Sequence, residues 1–146
     1  NEPLRIWGSI RDGKIVKAKG PVITAQCIRI PVSDGHIAAV FATFEKKPSK
    51  ENIIKLWRSF EGKPQELDLP SAPKPFIKYF EEDDRPQTKL DRDYEKGMGI
   101  TIGRLRDDPV YDYKFVCLSH NTIRGAAGGG ILTAELLKAE GYLKAK

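Results

Sequence analysis

The chain has 146 residues, of which 40% are hydrophobic and 31% are charged, and its formal net charge is +5. This length suits one globular domain with a single core, and no apolar run approaches the roughly 20 residues that span a bilayer. Its two cysteines form no disulfide framework, so we expect a soluble protein of a reducing compartment such as the cytoplasm. The lysines are scattered among acids, so no membrane or nucleic-acid partner is predicted.

The first predicted element is a strand over residues 22–32, which read "VITAQCIRIPV" and are rich in β-branched side chains. Pro31 ends this strand, and "SDGH" after it has the composition of a turn. Residues 36–46, "HIAAVFATFEK", predict a second strand that is mostly apolar and therefore buried on both faces. The two strands are expected to meet around His36.

A helix is predicted over the stretch "PSKENIIKLWRSFEG". Ser49 is suited to cap its start and Gly62 to cap its end. Four apolar side chains recur at helical spacing and should form its buried stripe: Ile53, Leu56, Trp57 and Phe60.

Residues 63–96 form a long connection, with one helical turn expected in "PFIKYFEE". Residues 97–108 and 110–120 predict two more strands, which should form an antiparallel pair across the turn "DDP". The elements together predict an α+β fold, with a mixed, largely antiparallel sheet and helices packed on one face.

The tail, residues 123–143, predicts a helix that contains three consecutive glycines, Gly128 to Gly130. In a helix interior these glycines would cost roughly 3 kcal/mol relative to alanine. We therefore expect another group to approach this backbone closely.

Two residues near the predicted turn are candidates for chemistry. His36 could present its imidazole to a cleft and exchange a proton near neutral pH, although a histidine beside an apolar strand is also often structural. Arg29 lies among apolar residues and needs an anion, because an unpaired buried guanidinium is costly. A carboxylate ligand and an internal Asp or Glu are equally suitable partners.

Other motifs give weaker signals. Cys27 could act as a nucleophile with His36 as its base, but nothing in the sequence brings its sulfur to that ring. The run "RGAAGGG" lacks the lysine of a phosphate loop, and "GMGITIG" departs from GxGxxG by one residue. His120 has no second ligand at a suitable spacing, so no metal site is predicted.

Three stretches together resemble the C-terminal part of aspartate-semialdehyde dehydrogenases of the archaeal and fungal type. They are "NEPLRIWG", "CIRIPVSDGH" and "GRLRDDPVYDYKFVCLSHNTIRGAAGGGILTAELL". Their order and separation carry the resemblance. It implies an enzyme that makes L-aspartate 4-semialdehyde from L-4-aspartyl phosphate with NADPH, through a thioester on a cysteine, in the biosynthesis of lysine, methionine and threonine.

The resemblance also implies roles for five residues. His36 falls on the family's acid/base histidine, and Arg29 on the arginine that holds the substrate carboxylate. Glu2 falls on the glutamate that receives the substrate ammonium. Arg5 stands where the family has a phosphate-binding lysine, so its contact with phosphate is expected to differ. Asn121 falls on a candidate contact to NADP.

Two features of the family, the Gly-rich dinucleotide fingerprint and the nucleophilic cysteine, precede these motifs and are not in this sequence, which begins at Asn1. We expect residues 1–120 to be a substrate-binding and dimerisation domain, and residues 121–146 a helix that packs on a nucleotide domain. The chain should be inactive alone and form a homodimer or homotetramer. The alternatives are a non-catalytic dimerisation or regulatory module and a related acyl-phosphate reductase, such as the N-acetylglutamyl-phosphate type.

Overall fold

The computed structural model describes residues 2–144. The chain divides into two compact units, residues 1–31 and 32–146. The first unit is small, and the second contains the main sheet and most of the helices.

The first unit consists of a short helix and a hairpin. Its elements are α1 Glu2–Ile6, β1 Ser9–Arg11 and β2 Lys14–Val16, and the two strands pair antiparallel. Asp12 and Gly13 make the turn at φ 50° and 71°, as a two-residue hairpin loop requires. The sequence analysis did not predict this hairpin, although an Asp-Gly pair between strand-forming residues is its strongest local signal.

The strand predicted over residues 22–32 is wrong, since residues 17–31 contain neither helix nor strand. Within the described chain no strand pairs with this segment, and its apolar side chains are exposed, with Val22 at 96% and Ile28 at 76%. A β-branched pattern favours a strand only where a neighbouring strand and a packing surface are available. Two strands therefore do not meet around His36.

The second unit is built on a four-stranded sheet. Its strands are β3 His36–Ala42, β4 Ile77–Phe80, β5 Ile100–Asp107 and β6 Tyr113–Ser119, in the order β3-β6-β5-β4. The β4–β5 pair is parallel, and the other two pairs are antiparallel. This arrangement confirms the α+β prediction of a mixed, largely antiparallel sheet, including the antiparallel pair predicted from residues 97–120.

The helical turn predicted in "PFIKYFEE" is wrong, because these residues contain strand β4. Lys78 is exposed, Tyr79 is partly buried and Phe80 is buried. The pairing of β4 with β5 supplies backbone hydrogen bonds that a single helical turn would lack.

The helices of the second unit are α2 Lys50–Arg58, α3 Lys63–Glu66, α4 Thr88–Asp91 and α5 Gly128–Ala139, with a 3-10 turn at Tyr94–Gly97 and a π-helical turn at Ile123–Ala127. The predicted cap at Ser49 is confirmed, because its hydroxyl accepts a hydrogen bond from the Asn52 backbone at 3.2 Å. Trp57 packs α2 onto the sheet through Tyr79 and Phe115, at ring-centroid distances of 5.8 and 5.0 Å.

Two details of the predicted helix are wrong. The helix ends at Ser59 rather than at Gly62, which instead precedes the first residue of α3. The predicted stripe is only partly buried, because Leu56 and Phe60 are exposed while Ile53 is buried. The Ser59 backbone N–H already bonds to the Lys55 carbonyl, so the helix needs no glycine at its end.

Strand β3 is an exposed edge of the sheet, not the strand buried on both faces that its apolar sequence predicted. Among residues 2–144 it pairs with β6 alone, and Ile37 and Phe41 are 42% and 54% exposed. The core lies under the neighbouring strands, where Leu118 of β6 is 2% exposed. An apolar edge strand of this kind is typical of a surface that another chain covers.

A helix is present in the tail, although α5 begins at Gly128 after the π-helical turn, and the expected close approach is found at Gly128 but not at Gly130. A Cβ at Gly128 would overlap the Met98 sulfur, whereas a Cβ at Gly130 would meet nothing within 4 Å. No helix among residues 2–144 is long and apolar enough to cross a membrane.

Candidate functional site

His36 is the first residue of β3, opposite Ser119 of β6, and it is exposed. The turn before it is held from a neighbouring segment, because the Arg92 guanidinium donates a hydrogen bond to the Ser33 hydroxyl at 2.6 Å. The imidazole therefore stands at the accessible end of an edge strand, with its backbone fixed on the β6 side.

Gly35, directly before His36, is buried and has a φ of 103°. A Cβ at this position would lie 3.2 Å from a Leu118 methyl carbon and 3.3 Å from the Thr88 methyl carbon. Both the positive φ and the close packing require glycine here. The conformation that leads into His36 is therefore set by its own sequence and by two packed neighbours.

Asn121 is brought to the same place by the neighbouring strand β6, whose last residue, Ser119, is opposite His36. The Gly35 N–H donates a hydrogen bond to the Asn121 side-chain oxygen at 2.8 Å, across 86 residues of sequence. Two of the predicted site residues, His36 and Asn121, are thus joined through the backbone of one intervening glycine.

His120 stabilises the turn that carries Asn121. The Ile123 N–H donates to the His120 Nδ1 at 3.3 Å, and the imidazole is only 6% exposed. Because Nδ1 accepts this bond, Nε2 carries the proton in the neutral ring. It points to an Asp93 carboxylate oxygen 3.6 Å away. The sequence analysis missed this role, although a polar side chain three residues before a helical turn is typical of a cap.

Arg124 is a second residue that the sequence analysis missed. Its guanidinium lies 4.7 Å from the centre of the Phe76 ring, and burial lowers its pKa. Its Nη1 is buried and has no hydrogen-bond partner within residues 2–144. Arg124 also lines a hollow with small residues of the π-helical turn and α5, which include Gly125, Gly129 and Gly130.

Glu2 and Arg5 lie on α1 in the first unit, and both are exposed. They are three residues apart, so they share one face of this short helix. Arg5 lines a shallow depression together with Lys14 and Lys17. Three cations around one depression make this surface favourable for an anion.

Arg29 is exposed in the irregular segment of the first unit, whereas His36 belongs to the second unit. Their predicted cooperation stays a prediction. Cys27 is exposed, and burial raises the pKa of the other thiol, Cys117, which makes that thiol a poor nucleophile. Within residues 2–144 no three His, Cys, Asp or Glu side chains are grouped so that they could hold a metal ion.

Comparison with known proteins gives a consistent result. Residues 1–124 match the family described as semialdehyde dehydrogenase, dimerisation domain. The chain is 41% identical, over 98% of its length, to an aspartate-semialdehyde dehydrogenase of Aspergillus fumigatus, and 44% identical, over 95%, to that of Archaeoglobus fulgidus. It spans about two fifths of the length of these curated relatives, namely 41% and 39%.

Solved structures agree with this result. The chain is similar to the aspartate-semialdehyde dehydrogenase of Candida albicans, solved with NADP, with a TM-score of 0.86 and 39% identity over 97% of this chain and 41% of that chain. It shares the fold of aspartate-semialdehyde dehydrogenase II of Vibrio cholerae, with a TM-score of 0.59 over 79% of this chain and 30% of that chain. The chain therefore belongs to the semialdehyde dehydrogenase family, as its motifs indicated, and carries that family's dimerisation domain.

Proposed function

We propose that this chain is the substrate-binding and dimerisation part of an aspartate-semialdehyde dehydrogenase. The complete enzyme would reductively dephosphorylate L-4-aspartyl phosphate to L-aspartate 4-semialdehyde with NADPH, in the cytoplasm, toward lysine, methionine and threonine. The observation that carries this proposal is the similarity to the NADP-bound Candida albicans enzyme over 97% of the chain at a TM-score of 0.86. The chain covers 41% of that enzyme, so the complete reaction needs groups outside this sequence.

In this proposal His36 is the acid/base residue. Its imidazole is exposed at the end of an edge strand, where a substrate can reach it. Its backbone is held by pairing with Ser119 and by the constrained Gly35, so the ring is presented from a fixed position. A histidine can accept and return a proton near neutral pH, which the acyl-transfer steps require.

The substrate's charged groups would be held by residues of the first unit. Arg29 would bind the carboxylate with its planar, two-pronged guanidinium, and Glu2 would receive the ammonium. Arg5 would contact the phosphate, and the neighbouring Lys14 and Lys17 support this role because they add positive charge around the same depression.

The chain's residues fit a position beside NADP, which supplies the hydride when bound. Asn121 makes no hydrogen bond through its side-chain nitrogen within residues 2–144, so its two N–H groups can donate to a ligand. Gly130 is open on the side where a side chain would project, which leaves room for a close approach. Residues 121–146 would then pack on the nucleotide domain, and residues 1–120 would form the substrate-binding and dimerisation domain.

The exposed apolar edge of the sheet supports a homodimer or homotetramer. Ile37 and Phe41 of β3 are about half exposed, which is unfavourable in a lone subunit. A second copy that covered this face would remove their apolar surface from water.

The proposal is tested by mixing this chain with a separately made N-terminal half that carries the family's nucleotide fingerprint and cysteine. NADPH formation from aspartate semialdehyde, phosphate and NADP is then recorded for variants. We expect His36→Ala to lower kcat by about 10²-fold and Arg29→Ala to lower kcat/KM by about 10²-fold or more. The matched control, Arg11→Ala, removes an exposed arginine of β1 and should change neither value by more than about twofold. Full activity in His36→Ala would contradict the assignment.

A second candidate function is supported by 42% identity, over 79% of this chain, to a malonyl CoA reductase (NADP) of Metallosphaera sedula. Malonate semialdehyde has no ammonium group, so it gives Glu2 nothing to bind. The mixture is therefore tested with aspartate semialdehyde and phosphate and, in parallel, with malonate semialdehyde and CoA. Glu2→Gln should weaken only the first reaction. Activity restricted to the second pair would favour the reductase.

Two further alternatives are tested in the same mixture. N-acetylglutamate semialdehyde with phosphate tests the N-acetylglutamyl-phosphate reductase. A non-catalytic dimerisation or regulatory module predicts that Arg29→Ala leaves ligand binding and the activity of the complete enzyme unchanged.

A further inference from the structure

Asn121 contacts the backbone that leads directly into His36, and the chemistry of this contact fixes the orientation of its amide group. The donor is the Gly35 N–H, so the atom 2.8 Å away must be the amide oxygen and not the nitrogen. The nitrogen, which makes no hydrogen bond within residues 2–144, is therefore on the other branch of the amide and available to a ligand.

The start of β3 depends on few other contacts. β3 is an edge strand whose first four residues are exposed, and within the described part of the chain β6 alone pairs with it. Gly35 packs against Leu118 and Thr88 but has no side chain of its own that could form a contact. The hydrogen bond from its N–H adds to these contacts and holds the peptide between Asp34 and Gly35, one residue before the peptide of His36.

The turn that holds Asn121 is itself well supported. It begins at His120, which is buried and accepts from the Ile123 backbone, and its neighbour Thr122 lies 3.5 Å from the Asp34 carboxylate. The hydrogen bond between the Gly35 N–H and Asn121, here called the anchor, therefore joins this supported turn to the exposed start of β3. Displacement of the turn would displace the start of β3 with it.

We propose that Asn121 is a positioning residue for His36, which it holds by accepting the hydrogen bond from the Gly35 N–H. This inference rests on the proposed function, which makes His36 the acid/base residue. The side-chain N–H groups of Asn121 remain free to donate to a ligand. The same amide would therefore contact a ligand through its nitrogen and position the His36 imidazole through its oxygen.

Two substitutions separate the two ends of the amide. Asn121→Asp retains an oxygen for the Gly35 N–H but removes the donor, whereas Asn121→Ala removes both. In the 146-residue chain, we expect Asn121→Ala to speed exchange of the Gly35 amide hydrogen by about tenfold or more, because its acceptor is gone. Asn121→Asp should keep the exchange within about threefold of the unchanged chain.

The matched control is Thr122→Ala, which removes the hydroxyl contacts with Asp34 and His120 in the same turn but leaves the Asn121 acceptor of the Gly35 N–H in place. It should leave Gly35 exchange within about twofold. Unchanged exchange in Asn121→Ala, or equal acceleration in Thr122→Ala, would overturn the proposal. If Asn121→Ala fails to fold, exchange of the Gly35 amide is measured in the unchanged chain instead. Exchange as fast as that of an unprotected amide would contradict the hydrogen bond to Asn121 and overturn the proposal.

Activity gives an independent measurement in the mixture with the N-terminal half. Asn121→Ala should lower kcat by about tenfold, and Asn121→Asp should recover most of kcat while raising the KM for NADP. Equal loss of kcat in both variants would show that the acceptor role does not matter for turnover and would overturn the proposal. If the unchanged chain is inactive in the mixture, the proposed function fails, and Gly35 exchange still decides the anchor.

Discussion

Residues 17–31 and strand β3 both have a composition that favours a strand, but their structures differ. Both are rich in apolar and β-branched side chains, yet only β3 forms a strand. β3 pairs along its whole length with β6, whereas no strand in the described chain pairs with residues 17–31. Strand propensity thus expresses the fit to a neighbouring strand rather than a property of the segment alone.

This difference separates two of the predicted site residues. His36 stands on paired backbone with a buried glycine before it, while Arg29 stands in the exposed, unpaired segment. The proposed acid/base residue, His36, is therefore positioned by the fold of its own unit. The position of Arg29, the predicted carboxylate-binding residue, is not fixed by strand pairing within the described chain.

The largest expected effect is the loss of a buried leucine of β6, the strand that pairs with β3. Leu118→Ala should lower the free energy of unfolding by about 3 kcal/mol, because the side chain is buried and packs on Gly35. The matched change in the other region, Ile28→Ala, should cost less than about 0.5 kcal/mol. Urea unfolding of both variants gives the two values. Equal losses would mean that residues 17–31 are as well packed as the sheet, and the comparison would fail.

The next effect concerns a glycine in each region. Gly35→Ala should cost about 2 kcal/mol, since alanine adds the strain of a positive φ to a tight contact with Leu118 and Thr88. Gly20→Ala, where a Cβ meets nothing within 4 Å, should change stability by less than about 0.5 kcal/mol. Thermal unfolding of the pair measures this difference, and a neutral Gly35→Ala would show that the turn before His36 is not constrained.

A smaller loss is expected at the ion pair that supports Thr88. Asp91 is buried at the end of α4 and accepts hydrogen bonds from the Arg85 guanidinium and the Gln87 backbone. Burial alone would raise the pKa of Asp91, but these hydrogen bonds lower it below its ordinary value. Asp91→Asn should cost about 1–2 kcal/mol, less than for a fully buried pair because Arg85 is partly exposed.

Chemical denaturation near neutral pH checks this value. Asp68→Asn is the matched control, because it removes an exposed ion pair with Lys74 and should have almost no effect. An Asp91→Asn chain as stable as the control would contradict a structural role for the pair.

The smallest effect is a dependence on pH at the connection between β5 and β6. The Val110 and Tyr111 backbone N–H groups each donate to an Asp108 carboxylate oxygen at 3.0 Å, and they lower its pKa to about 2. A carboxyl group whose pKa is lowered by folding stabilises the folded chain above its ordinary pKa, and the stabilisation is lost as the pH falls. For Asp108 the loss should occur between about pH 4 and pH 2.

Melting temperatures of the unchanged chain and of Asp108→Asn, measured from about pH 6 down to about pH 2, check this dependence. The asparagine variant should melt slightly lower at the upper end, and the two curves should converge at the lower end. A constant difference across the range would show that the charge of Asp108 is not the cause.

Local patterns predicted the elements whose partners are close in sequence or whose ends are capped. The Ser49 cap and the antiparallel pair at residues 97–120 belong to this class, and both are confirmed. Strand β4 was mistaken for a helical turn, because only its parallel pairing with β5 distinguishes the two. The prediction of burial failed at β3 because an apolar sequence does not distinguish a central strand of the sheet from an edge strand.

The candidate site was predictable from the sequence mainly through its resemblance to a family. Residue types and spacing alone left His36 and Arg29 each with a structural explanation. The contact between Gly35 and Asn121 was beyond local reasoning, because it joins positions 86 residues apart through a backbone N–H. The support from His120 and the burial of Arg124 likewise depend on packing that no short motif records.

The most direct test of the proposed function is NADPH formation from aspartate semialdehyde, phosphate and NADP by this chain, alone and mixed with a separately made N-terminal half. The account predicts no activity for the chain alone and clear activity for the mixture, because the nucleotide fingerprint and the nucleophilic cysteine are outside this sequence. Activity of the chain alone that disappears in His36→Ala would contradict the account and make Cys27 the nucleophile to test. A mixture inactive with aspartate semialdehyde would contradict the proposed function itself.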